Sequence, residues 1–378
     1  MKNLKWLCIV LVIVACKVWA DEPQEESGKL SSTSSGKTIF AIEGSANLNG
    51  SIKILSSSGN DISVTYKKYA RAGSESQAKH FLELINLKLD STQDDKSTLS
   101  IETPSNAPWQ GSNYSVSLDI FVELPESMKI EGDLHFMKLE VHGPFAGLTV
   151  ISDFSALDIE DINGPIDIAT TYAAINLSGI RGSIKAKTRN SSIEASDIKI
   201  PLGSAIFENT TGAIKLSDIS GPVEAYTTYS AIDASGINAA EGSIVLRTTY
   251  SAINVSDVTG ELVCETSLSP INLEDVALTH GQSKIETSYS PINASFKEIS
   301  DSQLFLNTTY SNISLQIPAN TSSQLVANVD EGGKIHTSDL PIKPTYLGAT
   351  RLEGSLNGDQ SRIEVKVGGV GEINIESQ

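Results

Sequence analysis

The sequence has 378 residues, with 46 Asp and Glu against 28 Lys and Arg for a formal net charge of −18, and it is 39% hydrophobic and 6% aromatic. So dilute an apolar content excludes a polytopic membrane protein. So acidic a chain, without a concentrated basic patch, excludes nucleic acid as the partner, because phosphate binding rests on cationic side chains that displace counterions.

At the start of the chain, Lys2 and Lys5 precede an apolar run from Trp6 to Cys16 that is too short to span a bilayer, so residues 1–20 read as a secretory signal peptide. Two processing signals compete. Val18-Trp19-Ala20 fits cleavage before Asp21, whereas Ile13-Val14-Ala15-Cys16 fits a lipobox in which Cys16 would carry lipid and provide the only attachment to a membrane. Cleavage after Ala20 removes Lys2, Lys5 and Lys17 and no acid, leaving 25 basic against 46 acidic residues, or −21. It also removes Cys8 and Cys16, so Cys264 has no partner for an intramolecular disulfide and stability must come from the core. The expected location is the periplasm or the cell surface. Residues 21–37 contain one Leu and no aromatic residue, and predict a disordered tether.

Residues 38–125 predict a β-rich N-terminal cap. Alternating apolar positions (Ile52, Ile54; Ile62, Val64, Tyr66) mark strands, and Ala78, Phe81, Leu82 and Ile85 share one helical face behind an N-cap candidate, Ser74. A further strand carries Val116, Leu118, Ile120 and Val122 and ends at Pro125.

Across residues 126–318 one phrase returns: TTYAAIN, TTYSAID, TTYSAIN, TSYSPIN, TTYSNIS. Its aliphatic anchors are Leu139, Leu157, Ile175, Ile193, Ile214, Ile232, Ile253, Ile271, Ile292 and Ile313, spaced by 18 or 21 residues. Two residues beyond each anchor stands another apolar or small side chain, and a second alternating strand lies nine and seven residues before it, as in Ile166 and Ile168. Asp or Gly between the strands supplies a sharp, left-handed bend. A unit this short cannot bury its own apolar face and must stack on copies of itself. The predicted fold is therefore all-β, a single-chain parallel β-helix (β-solenoid) of about ten coils of 18–21 residues, with a cap containing one short helix. Residues 319–378 predict the last coils and a C-terminal cap, with Ile363, Val365, Val367, Ile373 and Ile375 in the last turn or two of the rod.

The stretch LPESMKIEGDLHFMKLEVHGPFAGLTVIS, the coil phrases NGPIDI, GSIKA and TGAIKL, and the closing GDQSRIEVKVGGVGEINIES resemble the bacterial putative adhesin family, a domain of unknown function with a β-helix. The resemblance covers residue 38 to the C-terminus and implies an exported, non-enzymatic solenoid at the cell envelope. It carries over no functional residue.

Three columns of side chains are candidates for function. An aromatic ladder of Tyr172, Tyr229, Tyr250, Tyr289 and Tyr310, with Phe154 and Leu268 in the same slot, could stack sugar rings or simply cover a corner of the coil. A Thr column (Thr170, Thr188, Thr227, Thr248, Thr266, Thr287, Thr308) falls on the inward parity and predicts hydroxyls bonded along the stack. A polar column follows each anchor (Asp158, Asn176, Glu194, Lys215, Asp233, Asn254, Asn272, Asn293); without the Gly-Gly-x-Gly-x-Asp nonapeptide it predicts solvated turns, with no metal and no cofactor. The five histidines fall in unrelated segments, and none joins a Ser or Cys motif, so no catalytic residue is expected. The expected function is an adhesin-like binding or scaffold rod whose partner is an envelope protein or a glycan. The alternative is a sensor that reports envelope stress to a membrane signalling protein; a carbohydrate-active enzyme ranks third.

Overall fold

The computed structural model describes residues 23–44, 47–111, 113–330 and 332–378; the signal peptide and Cys16 lie outside them. The described chain is one continuous β-solenoid. In each coil a four-residue strand such as Ile166–Ala169 turns through the Thr-Thr-Tyr corner into an anchor strand such as Ile175–Arg181. Ile175 and Leu177 point inward, the chain bends at Gly179, and Ile180 points inward again, giving each coil three apolar faces around a dry centre. The bends are made by Asp161, Asp197, Asp218, Asp257 and Asp275 and by Gly179 and Gly236, all at φ between 49° and 65°. Asp and Gly are the residues that tolerate this region best, which is why they alternate at this one place in the repeat.

The anchors form one ladder of parallel pairs. It begins Ile120, Ile52, Leu139, Leu157, Ile175, Ile193 and Ile214. It continues through Ile232, Ile253, Ile271, Ile292 and Ile313, and closes with Ile373 and Ile335. These fourteen layers, at roughly 4.8 Å each, make a rod about 60 Å long between its end layers. The ten coils expected from the repeat are the middle of this stack, and two further layers lie at each end.

At both ends the spatial order departs from the chain order. The coil holding Ile39–Gly44 and Asn49–Ser57 lies between the later coils Lys96–Glu102/Ser115–Pro125 and Lys129–Leu134/Met137–His142. Correspondingly, the C-terminal coil Ser361–Val367/Glu372–Ser377 is inserted between Gln303–Thr308/Ile313–Ile317 and Ser323–Val329/Lys334–Ser338. Much of the segment 38–125 is therefore rod rather than cap, and Ile363–Ile375 form the penultimate layer, within the last turn or two of the rod.

Residues 24–33, expected as part of a disordered tether, are a strand. Gln24–Thr33 pairs antiparallel with Asp61–Arg71, which in turn pairs antiparallel with Ser115–Pro125. Composition fails here because the strand gains its stability from backbone pairing to an otherwise open edge, from Leu30 against the core, and from the ion pairs Glu25–Lys67 and Glu26–Lys68, each at 2.6 Å. The helix spans Glu75–Glu83 behind Ser74, whose side chain accepts a hydrogen bond from the Gln77 N–H at 3.2 Å, and it buries Ala78, Phe81 and Leu82 against the end of the rod. At the opposite end Arg351–Leu356 runs antiparallel to Ser323–Val329 and to Ile342–Leu347, closing the stack.

Candidate functional site

Two surfaces run along the rod, one on either side of each anchor. The first is the corner that precedes it. Here the Thr side chains are buried as expected, and they donate to carbonyls of the neighbouring coil: Thr188 to Ala173, Thr248 to Ser230, Thr266 to Ser251 and Thr287 to Ser269, each at 3.1 Å, and Thr308 to Ser290 at 3.0 Å. These bonds fix the corner and present the next residue but one outward.

That residue is the aromatic rung. Tyr172, Tyr229, Tyr250, Tyr289 and Tyr310 are 50–60% exposed, so they do not seal the core; the threonines beneath them do. The rings lie flat on one another. Phe154 stacks on Tyr172 with centroids 4.8 Å apart and planes 9° from parallel, Tyr229 on Tyr250 at 5.2 Å and 5°, and Tyr289 on Tyr310 at 5.6 Å and 13°. In each stacked pair the facing sides cover each other, so the surface presents ring edges and hydroxyls more than the flat platforms that sugar stacking needs. Asn190 and Thr211 occupy the slot between Tyr172 and Tyr229, and Leu268 occupies it between the other two pairs. One rung escaped the sequence reading: Phe136, three residues before Leu139, stacks on Phe154 at 4.8 Å and 2°. Counting back three from the first anchor would have found it.

The second surface is a groove of about 1750 Å³ over the outward side of the anchor strands, reaching from Lys53 to Gln316 and Gln378. Its floor is the polar column one residue after each anchor, and its wall includes a serine column two residues further on, at Ser178, Ser196, Ser217, Ser235 and Ser256. The parallel register aligns like positions, and the amides join head to tail. Asn254 Nδ2 donates to Asp233 Oδ1 at 2.7 Å, Asn272 Nδ2 to Asn254 Oδ1 at 2.9 Å, and Asn293 Nδ2 to Asn272 Oδ1 at 3.0 Å. These side chains bond one another across coils instead of forming separate solvated turns.

Toward the N-terminal end the floor is ionic. Lys138 reaches Asp158 at 2.6 Å and Glu140 at 2.8 Å, and Asn176 donates to Asp158 at 2.6 Å. The hydrogen bonds to Asp158 and Glu140 push the Lys138 ammonium above its ordinary value. Partial burial alone would raise the Asp158 carboxyl, but the bonds from Lys138 and Asn176 outweigh it and hold the group below 3.8. Lys215 pairs with Glu194 at 3.1 Å, and His142 Nδ1 lies 2.8 Å from Glu160. Among the described residues, no three His, Cys, Asp or Glu side chains are placed to hold a metal ion. Cys264 is fully buried, and burial pushes its thiol far above the ordinary range, so it is a small apolar core residue.

Comparison with solved structures finds distant likenesses. A putative cell adhesion protein from Clostridium sporogenes is 11% identical, with 94% of this chain and 100% of that one covered and a TM-score of 0.20. A putative adhesin from Parabacteroides merdae is 10% identical, with 74% and 96% covered and a TM-score of 0.31. A putative lipid binding protein from Parabacteroides distasonis is 9% identical, with 93% and 97% covered and a TM-score of 0.29. No curated protein matches the chain. The sequence pattern of the Toastrack DUF4097 family matches residues 47–339, which run from Asn49–Ser57 through every repeat coil to Lys334–Ser338, and the chain belongs to that family.

Proposed function

We propose that the protein is an exported rod of the bacterial envelope that binds an extended polymer, a glycan or a polypeptide strand, along the groove, and so acts in adhesion or scaffolding rather than catalysis. The observation that carries this reading is the groove itself: hydrogen-bonding side chains recur at every coil, in register, over almost the whole stack. A linear partner meets a polar side chain at each step, an amide, a carboxylate, a lysine or a serine hydroxyl. Weak contacts in series then add to useful affinity without any single deep pocket. Export is supported by residues 1–20, with Lys2 and Lys5 ahead of an apolar run.

The test is a glycan array together with a pull-down from envelope extract, using wild-type protein and an Asn254→Ala/Asn272→Ala/Asn293→Ala variant. Retention of a glycan or envelope protein by wild type, and its loss by the variant at unchanged melting temperature, supports the reading. Correctly folded wild type that retains nothing in either format contradicts it.

A further inference from the structure

The aromatic ladder stops abruptly at Phe136. One face of that ring is covered by Phe154, and the other borders a pocket of about 250 Å³ lined by Asn47, Asn49, Trp109, Gln110, Tyr114 and Val116, together with Ser115. The register places Asn49 next to Phe136 in the stack, because Gly50 pairs with Met137 and Asn49 itself with Ser117. The slots where the next rungs would stand thus carry no aromatic side chain.

Three features distinguish this pocket from the rest of the corner. Phe136 is held at φ 61°, a conformation costly for a bulky side chain and one that points to a constraint beyond packing. The walls are anchored: Trp109 and Tyr114 each pack on Phe81 of the helix with centroids 5.7 Å apart, and Trp109 Nε1 donates to the Asn47 carbonyl at 2.9 Å. Among the described residues, the lining contains amides, the Tyr114 and Ser115 hydroxyls and aromatic rings but no charged side chain.

We propose that this pocket binds one ring of a neutral sugar, which stacks on the open face of Phe136 in the position of the missing rung. The apolar face of a pyranose covers the ring, while its hydroxyls meet the side chains of Asn49, Gln110 and Ser115. The site shares no residue with the groove, so it stands whether or not the groove binds a polymer.

The test is a titration of the full chain with glucose, galactose, N-acetylglucosamine and their β-linked disaccharides, followed by calorimetry and by the indole N–H resonance of Trp109. At least one sugar is expected to shift that resonance saturably. Phe136→Gly should weaken binding at least tenfold without lowering the melting temperature, because glycine suits the backbone there. Asn49→Ala, which removes an exposed side chain, should weaken binding severalfold, and the triple asparagine variant of the groove should bind like wild type. If none of the sugars moves Trp109, or if both Phe136→Gly and Asn49→Ala bind as well as wild type, the proposal fails.

Discussion

Ile373 lies in register with Ile313 on one side and with Ile335 on the other, so the C-terminal segment fills a layer between two coils that precede it in the chain. Neither neighbouring layer can close without it. Removal of residues 358–378 would leave Gln303–Thr308 and Ser323–Val329 with open edges where a strand belongs. The truncated protein is expected to aggregate, or to unfold at lower denaturant with a broadened transition. In the full chain Ile373→Ala, at a fully buried position, should cost about 3 kcal/mol in urea unfolding.

The bends offer a cleaner backbone test. Gly179 has φ 65°, and a Cβ there would stand 2.5 Å from Asp161 Oδ1. Gly179→Ala is therefore strained twice and should destabilise by about 1–2 kcal/mol or more. Asp218, at φ 53°, should be matched or improved by Gly and harmed by Val to a similar degree. Chemical denaturation of the three variants checks the sign of each.

The inward hydroxyls contribute individually. Thr248→Val keeps the shape but leaves the Ser230 carbonyl without its donor, and should cost about 1 kcal/mol in denaturant unfolding. A smaller effect is expected from Thr171→Val, whose side chain is outside the inward column.

Acid should loosen the ionic end of the groove. The Asp158 carboxyl is held below its ordinary 3.8, so its contribution to stability is fully present above that value and is lost as pH falls through the lower folded-state value. Glu265, between Arg247 at 2.7 Å and Lys284 at 3.2 Å, behaves the same way from 4.5 downward. The melting temperature is therefore expected to drop below about pH 4. Part of that drop should vanish in Lys138→Met, because without its cation Asp158 no longer distinguishes the folded from the unfolded chain as strongly. A drop of the same size in wild type and variant would contradict this.

The repeat was legible because its buried positions are strict. Ile175, Ile193, Ile214 and their equivalents recur at fixed spacing, and parallel pairing turns that spacing into columns without further information. The helix was legible from its apolar face and Ser74 cap. What stayed hidden depended on partners distant in sequence. Gln24–Thr33 looks unfoldable until Asp61–Arg71 is beside it, and nothing local in Ser361–Ser377 says that it enters the stack one layer early. The groove was hidden for a related reason: Asn254, Asn272 and Asn293 are ordinary turn residues singly, and become a bonded ladder only when three coils are aligned. Sequence placed the tyrosines correctly in one slot but could not say how their rings lie against each other.

The order of layers defines this fold, and paired cysteines read it directly. Ser314 and Asn374 are outward partners in adjacent strands, while His336 lies one layer beyond Asn374. Neighbouring parallel strands are about 4.8 Å apart, within disulfide reach, and next-but-one strands at about 10 Å are not. In protein lacking Cys8 and Cys16, Ser314→Cys/Asn374→Cys should oxidise to an intramolecular disulfide and Ser314→Cys/His336→Cys should stay reduced. Rapid disulfide formation by the second pair and none by the first would contradict the account.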